Sequence, residues 1–235
     1  MNENIKPETS FASLSASENL SRAKRERKRT PLLVATQNIG KFSEIEEVLR
    51  PLPLNLYHLK LEDFSGYLKD DHFEEHGQTF EENAELKAMH YHELIGMPTI
   101  GEDSGIIVDA LAGELGVKTR RWGAGEKATD EEWIEYFMNI MKDVPEEKRT
   151  ARFVCAAAFM NGEGEVAMFR GQTEGVITRT LEAPLRPGIP LSSCFRPAGK
   201  DKVYSALSEQ EKNTISHRGK AFHELKDFIT EVYGF

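Results

Sequence analysis

The sequence predicts an α/β fold, and three stretches carry that prediction. Leu32-Leu-Val-Ala-Thr36 is a short apolar run that stops at a polar turn, after which Phe42, Ile45, Val48 and Leu49 recur at helical spacing. Phe80, Ala84, Ala88, Tyr91 and Ile95 form a second stripe of the same period, and a strand-like run from Thr99 to Val108 follows it. Thr150 to Met160 is almost continuously apolar, as a strand covered on both faces must be. Strands alternating with helices in this way build a sheet with helices packed on it.

Each element has its own local signals. Gln37-Asn-Ile-Gly40 breaks the first strand, and a second strand is expected from Leu54 to Leu61. The acidic connector from Glu62 to Gly77, with Asp70, Asp71, Glu74 and Glu75, reads as an exposed loop. Thr79 can cap the next helix, Glu81 and Glu82 suit its positive first turn, and Gly96 and Pro98 stop it. Gly105 divides Thr99–Val108 into two short strand pieces, which places Glu102, Asp103 and Ser104 at a strand end. A helix is expected from Thr129 to Met141, and Asn161-Gly-Glu-Gly164 marks a hairpin into Glu165–Arg170. Pro184 to Gly199 is a long irregular segment of the kind that often carries function. The chain closes with Ser208–Asn213 and a helix whose buried stripe is Ala221, Leu225, Phe228 and Val232.

Composition narrows the function. Of 235 residues, 39% are apolar, enough for a sizeable core. The formal charge of −9, from 39 acidic and 30 basic residues, makes nucleic acid an unlikely main partner, because such partners select a basic face. An acidic protein that handles phosphates must concentrate its cations locally or borrow a metal. Residues 1–30 are polar and end in Arg22-Ala-Lys-Arg-Glu-Arg-Lys-Arg29, so they read as a solvated tail, with 31–235 as the folded domain. The two cysteines, Cys155 and Cys194, provide neither a disulfide framework nor a paired-cysteine metal site. No apolar stretch approaches the roughly 18 to 20 residues of a membrane span, and the N-terminus lacks the apolar core of a secretion signal. A cytoplasmic, reducing location is expected, with no membrane partner.

Three clusters can carry chemistry. In Thr36-Gln-Asn-Ile-Gly-Lys41 a strand leads into a helix whose free amides can hold phosphate, while Lys41 adds a full charge. Glu74 and Glu75, with Glu102 and Asp103, can offer two carboxylates to one Mg²⁺, and Asp103 or its neighbour can take a proton from an attacking water. In Lys212-Asn-Thr-Ile-Ser-His-Arg-Gly-Lys220, Ser216 can cap the last helix and His217 and Arg218 can face an anion or a polar base edge. Cations there oppose the helix dipole, which makes a purely decorative role harder to sustain.

Taken in order, four motifs resemble the inosine/xanthosine triphosphate pyrophosphatase family. They are Thr36-x-Asn38-x-x-Lys41, the stretch from Glu74 through Gly77, Thr79-Phe80 and Glu82-Asn83-Ala84 to Lys87-Ala88, Glu102-Asp-Ser-Gly105, and Ser216-His-Arg-Gly219. Gly123–Asp130, Met141–Pro145 and Ala151–Phe153 extend the likeness from about Leu32 to Phe228. The resemblance implies an elongated mixed β-sheet with flanking helices, two lobes around a nucleotide cleft, and homodimers. It implies Mg²⁺-dependent hydrolysis of aberrant purine triphosphates such as ITP, dITP and XTP to a monophosphate and pyrophosphate. Thr36, Asn38 and Lys41 would then bind the triphosphate, with Lys87 and Ser104 near it. Glu74 and Asp103 would hold Mg²⁺, Asp103 also accepting the proton, and Lys212, His217 and Arg218 would face the nucleotide and its base.

Two departures alter the expectation. Gln37 stands where the family has glycine, leaving the turn less permissive while keeping its amides. The family's Gly-Phe-Gly-Tyr-Asp-Pro stretch, whose ring stacks on the base and whose acid reads it, is replaced by Gly188-Ile-Pro-Leu-Ser-Ser-Cys-Phe195, with Ser192 near the place of the acid. The phosphate half of the site is retained and the base half rebuilt. That leaves a pyrophosphatase for another damaged or pyrimidine nucleotide, or a non-catalytic nucleotide binder, as alternatives.

Overall fold

The computed structural model describes residues 29–59, 64–69, 71–111, 113–125 and 127–235. The expected tail therefore lies outside the described residues up to residue 28. Strand β1 (Thr30–Ala35) leads through Asn38 into helix α1 (Ile39–Leu49), then β2 (Leu54–His58), a four-residue helix α2 (Ser65–Leu68), α3 (Phe80–Ile95) and β3 (Thr99–Val108). After two short 3-10 turns come α4 (Asp130–Met141), β4 (Thr150–Met160), β5 (Val166–Ile177), β6 (Phe195–Pro197), α5 (Glu209–Ile215) and α6 (His217–Tyr233). One mixed sheet runs β2-β1-β3-β4-β5-β6. β1 is parallel to β2 and β3, and every later pairing is antiparallel. The α/β class expected from the alternation is the observed one.

β4 explains its own composition. It is central, and its two faces meet different helices: Cys155, Ala157 and Phe159 pack with Ala221, Phe222 and Leu225 of α6, while Val154, Ala156, Ala158 and Met160 pack with Phe80, Ala84 and Ala88 of α3. Small side chains let both helices approach closely. Gly101 of β3 shows the limit, since an added Cβ would lie 2.0 Å from the Ala84 carbonyl oxygen and 2.6 Å from Ala88 N. A third core, from Ile106 and Leu111 through Trp133, Phe137 and Phe153 to Phe195 and Tyr204, fills the end of the sheet beside α4.

Several local expectations change. Thr99–Val108 is one continuous strand, because β4 pairs with it without a break from Thr99↔Met160 to Val108↔Ala151. Gly105 permits close approach instead of a bend: a Cβ there would meet the Gly116 carbonyl oxygen at 2.3 Å. Glu102, Asp103 and Ser104 are thus mid-strand, yet β1 pairs only with Thr99–Gly101, so they lie just past the end of β1. β2 ends at His58, and residues 60–61 of the expected strand and 62–63 and 70 of the acidic connector lie outside the described residues. The rest of the connector is not a bare exposed loop, for α2 interrupts it and Asp71 accepts from Tyr91 Oη at 2.9 Å and meets His90 Nε2 at 2.6 Å. β5 continues to Ile177 because the ladder with β4 runs the length of both strands, beneath a polar exposed face of Arg170, Gln172 and Glu174. In α6 the buried stripe is Ala221, Phe222, Leu225 and Ile229. Val232 is 55% exposed, since the whole stretch from Glu231 to Gly234 stands in solvent.

Charge as well as apolar area ties α1 to the C-terminal helices. Glu44 of α1 is 3% exposed and pairs with both Lys212 of α5 and Arg218 of α6. Burial alone would push its carboxyl up, but Arg218 and Lys212 outweigh burial and hold it below its ordinary 4.5.

Two stability predictions follow from these contacts. Gly101→Ala forces β3 and α3 apart and should cost about 1–3 kcal/mol in urea unfolding, with the m-value unchanged; full stability in this variant would refute the close packing. Glu44→Gln leaves two buried cations short of a counter-charge and should cost roughly 3 kcal/mol at pH 7. Because the folded carboxyl titrates below its unfolded value, its contribution is complete above about pH 4.5 and is lost as pH falls through the folded pKa. The wild-type decline in stability below that pH should therefore flatten in Glu44→Gln.

Candidate active site

The cleft begins at the end of β1. Asn38 caps α1, its Oδ1 accepting from Lys41 N at 3.1 Å while its own N–H donates to Thr36 Oγ1 at 3.2 Å. This side-chain scaffold shapes the turn without the glycine that Gln37 replaces. Lys41, one turn into α1, reaches inward, and its Nζ lies 2.8 Å from Glu102 Oε2. Burial disfavours its ammonium, yet the neighbouring Glu102 raises the pKa above the ordinary lysine value, so Lys41 is charged.

β3 supplies the acids on both of its faces. Glu102 and Ser104, opposite Ala157 and Cys155 of β4, are on the α6 side, and Asp103, opposite Ala156, is on the α3 side. Past the last β1 pairing, both faces reach the same cleft. Glu102 is 1% exposed and fully engaged: Oε2 pairs with Lys41, and Oε1 accepts from Arg218 Nη2 at 3.1 Å and Nε at 3.2 Å. Burial opposes its charge, but Lys41 and Arg218 prevail and hold its carboxyl well below the usual range. Glu102 is therefore an anchor for cations, with both of its oxygens engaged by Lys41 and Arg218.

Asp103 has the opposite character. Its Oδ1 accepts from Ser104 N at 2.9 Å and its Oδ2 from Asn83 Nδ2 at 3.0 Å, which fixes the carboxylate. Burial dominates, and despite Lys41 and Lys87 nearby its pKa is pushed up to about 6. Asn83 also accepts from Gly77 N at 2.8 Å, so one amide joins the acidic 74–77 segment to the β3 acid. Lys87, one turn further along α3, donates to the Glu102 carbonyl at 2.8 Å and pairs with Glu75 at 2.5 Å. Glu74 lines the cleft with an exposed side chain.

The far wall comes from the C-terminal helices. Lys212 and Arg218 are 1% and 3% exposed, tied to Glu44, and Arg218 Nη2 also donates to Ser104 Oγ at 2.8 Å. His217 stacks on Phe153 at 4.7 Å and 15°. Burial and then Arg218 drive its pKa well below 6.5, so it is neutral, and its Nδ1 has no partner among the described residues. Two cations at the start of α6 thus become one, and Arg218 is offset by two carboxylates. Ser192, in the short turn Pro190–Ser193, is 5% exposed and lines the same cleft.

One cleft of about 1140 Å³ is therefore lined by Thr36, Asn38, Lys41, Glu74, Lys87, Asp103, Ser104, Ser192, Lys212, His217 and Arg218. Each of these was singled out in the sequence, and Glu102, singled out with them, lies behind the lining, paired with Lys41 and Arg218. Sequence reasoning missed Glu44 and Asn83. Helical spacing held a signal for both: Glu44 lies three residues from Lys41 and four from Val48, and Asn83 four from Lys87, so each shares a face with a residue already singled out. The donors suit a small hard cation, because Asp103 and Glu74 offer carboxylate oxygens. Among the described residues no three His, Cys, Asp or Glu side chains gather to hold an ion unaided.

Comparison with known proteins agrees with this geometry. The Ham1 family pattern matches residues 32–228. A dITP/XTP pyrophosphatase of Geobacter sulfurreducens is 39% identical over 201 residues, covering 85% of this chain and 96% of its own, and one of Streptomyces avermitilis is 35% identical over 205 residues, covering 87% and 100%. The solved structure of a HAM1 protein from Coxiella burnetii superposes with a TM-score of 0.70 at 32% identity, covering 86% of this chain and 99% of its own. Matched by the family pattern over most of its own length and extending over nearly the whole length of these relatives, the chain belongs to the Ham1 family.

Proposed function

We propose that this chain hydrolyses aberrant purine nucleoside triphosphates, ITP, dITP and XTP among them, between the α and β phosphates, releasing a nucleoside monophosphate and pyrophosphate. The observation that carries the reading is the convergence of Lys41 from α1, Glu74 from the segment before α3, and Asp103 from β3 on one cleft. Relatives bearing the name dITP/XTP pyrophosphatase support the same substrate class.

The chemistry is positioning plus charge. The Thr36–Lys41 turn and Lys87 take the polyphosphate, whose negative oxygens meet cations that Glu102 has already oriented. Ser104 adds a hydroxyl at the same end. Asp103 accepts the proton of the attacking water: a carboxyl near pKa 6, with both oxygens fixed by hydrogen bonds, is a stronger base than a solvated aspartate. Asp103 and Glu74 are the residues that would hold Mg²⁺, which when bound neutralises charge on the phosphates. Lys212, with one of its three N–H donors committed to Glu44, joins neutral His217 and Ser192 in facing the nucleoside, and Arg218, hydrogen-bonded to Ser104, stands between them and the phosphates. Homodimer assembly and a cytoplasmic site of action belong to the same reading. No helix among the described residues is long and apolar enough to cross a membrane.

Asp103→Asn should lower kcat by about 10²-fold or more in a protein that still folds, because the amide keeps the volume and removes the base. Retention of full turnover would remove Asp103 from the mechanism. Pyrophosphate release measured over ITP, dITP, XTP, ATP and CTP with Mg²⁺ should favour the 6-oxo purines and stop with a chelator. A folded protein that turns over none of them would defeat the assignment, and preference for CTP would transfer the activity to pyrimidines.

A further inference from the structure

The geometry points to Asp130 as a positioning residue: through the Gly188 peptide it fixes the 187–192 segment over the cleft and, with it, discrimination between bases. The inference rests on reading the cleft as a nucleoside-triphosphate site.

Asp130 is the first residue of α4 and lines the cleft. Its Oδ2 accepts the Gly188 N–H at 2.5 Å. The Gly188 carbonyl in turn accepts from Asn38 Nδ2 at 2.7 Å. Both polar backbone groups of one residue are thus held, one by the α4 wall and the other by the turn assigned to the phosphates. Space there is fully used. Gly188 has φ of +77°, and a Cβ on it would lie 2.4 Å from Asn38 Oδ1, while a Cβ on Gly40 would lie 2.6 Å from the Pro187 carbonyl oxygen.

The flanks of this segment are anchored by other means. Arg186 pairs with Glu209 and donates to the Ser205 carbonyl at 3.2 Å, Ser193 Oγ donates to the Pro184 carbonyl at 2.8 Å, and Glu182 N to the Ser193 carbonyl at 2.9 Å. Between them the tip makes two local turns, Ile189 N onto the Arg186 carbonyl and Ser192 N onto the Ile189 carbonyl, and buries Leu191 in the core beside α4, while among the described residues its polar links to other elements are those to Asp130 and Asn38. That tip carries Ile189 to Ser192 into the cleft, whose lining also includes His217 with its unpartnered Nδ1. It is also the stretch in which this chain departs from the Gly-Phe-Gly-Tyr-Asp-Pro pattern. Asp130, together with the burial of Leu191, thereby sets where the backbone holds Ile189 to Ser192 against the cleft, and the fit of a base there follows that position.

The test separates the tether from helix electrostatics. Asp130→Ala and Asp130→Asn lose the same charge from the first turn of α4, but only asparagine keeps an oxygen that can accept from Gly188. Full-length proteins are assayed for hydrolysis of ITP and ATP with Mg²⁺, and ITP binding is measured by calorimetry. Asp130→Ala should raise KM for ITP about tenfold, with kcat within about threefold, and shrink the ITP-to-ATP ratio of kcat/KM, the scale of one charge-assisted hydrogen bond. Asp130→Asn should stay near wild type, and Gly188→Ala should behave like Asp130→Ala. Equal effects of the alanine and asparagine variants, or an unchanged KM and ratio in both, overturn the inference while leaving hydrolysis intact. A wild type that binds ITP without hydrolysing it, with weaker binding in Asp130→Ala alone, upholds the tether and removes the hydrolase. A wild type that does not bind ITP refutes both.

Discussion

The site depends on one buried charge network. Lys41, Lys212 and Arg218 share the carboxylates of Glu44 and Glu102, three cations against two anions, and four of these five residues are no more than 3% exposed. Burying such groups sets a large solvation cost against their mutual attraction, so the network is weak evidence for stability as such. Its value is positional. It joins α1, β3, α5 and α6 at a single point.

The sheet makes the convergence possible. In a strand, neighbouring side chains point to opposite faces, so Glu102 and Asp103 cannot normally enter one cavity. Here β1 stops pairing with β3 at Gly101, and the three residues that follow lie beyond its end. The Glu102 side chain organises cations on the α6 face, while Asp103 on the α3 face is fixed by Asn83. Burial then separates their chemistry: the same desolvation leaves Asp103 near pKa 6 and is overcome at Glu102 by two cations. Two adjacent acids thereby take different tasks, one holding charge and the other able to move a proton.

Much of this was legible in the sequence, for identifiable reasons. The α3 stripe, the Thr79 and Ser216 caps and the Gly96 stop are local signals, and each appears where its chemistry places it. The apolar run of β4 announced burial on both faces, and the ordered motifs identified the residues that line the cleft. What stayed hidden was non-local. Gly105 looked like a bend because nothing in one strand reveals the uninterrupted ladder of its neighbour. Nothing near Glu44 in the sequence marks it for burial, since its partners are 168 and 174 residues away. Val232 fitted the stripe, but periodicity does not record where a helix leaves the core.

The start of α6 shows why the bland reading of Ser216-His-Arg failed on physics rather than on pattern. Three backbone donors and a positive helix end make that position hostile to cations, so an arginine and a histidine there require compensation. The structure supplies it in two ways: His217 is kept neutral by burial and by Arg218, and Arg218 is matched by carboxylates from α1 and β3. Those same carboxylates orient Lys212 and Lys41. The compensation demanded by a helix terminus is therefore the arrangement that aims the cations of this cleft, and the electrostatic conflict visible in the sequence marks the site from which the charge network is built.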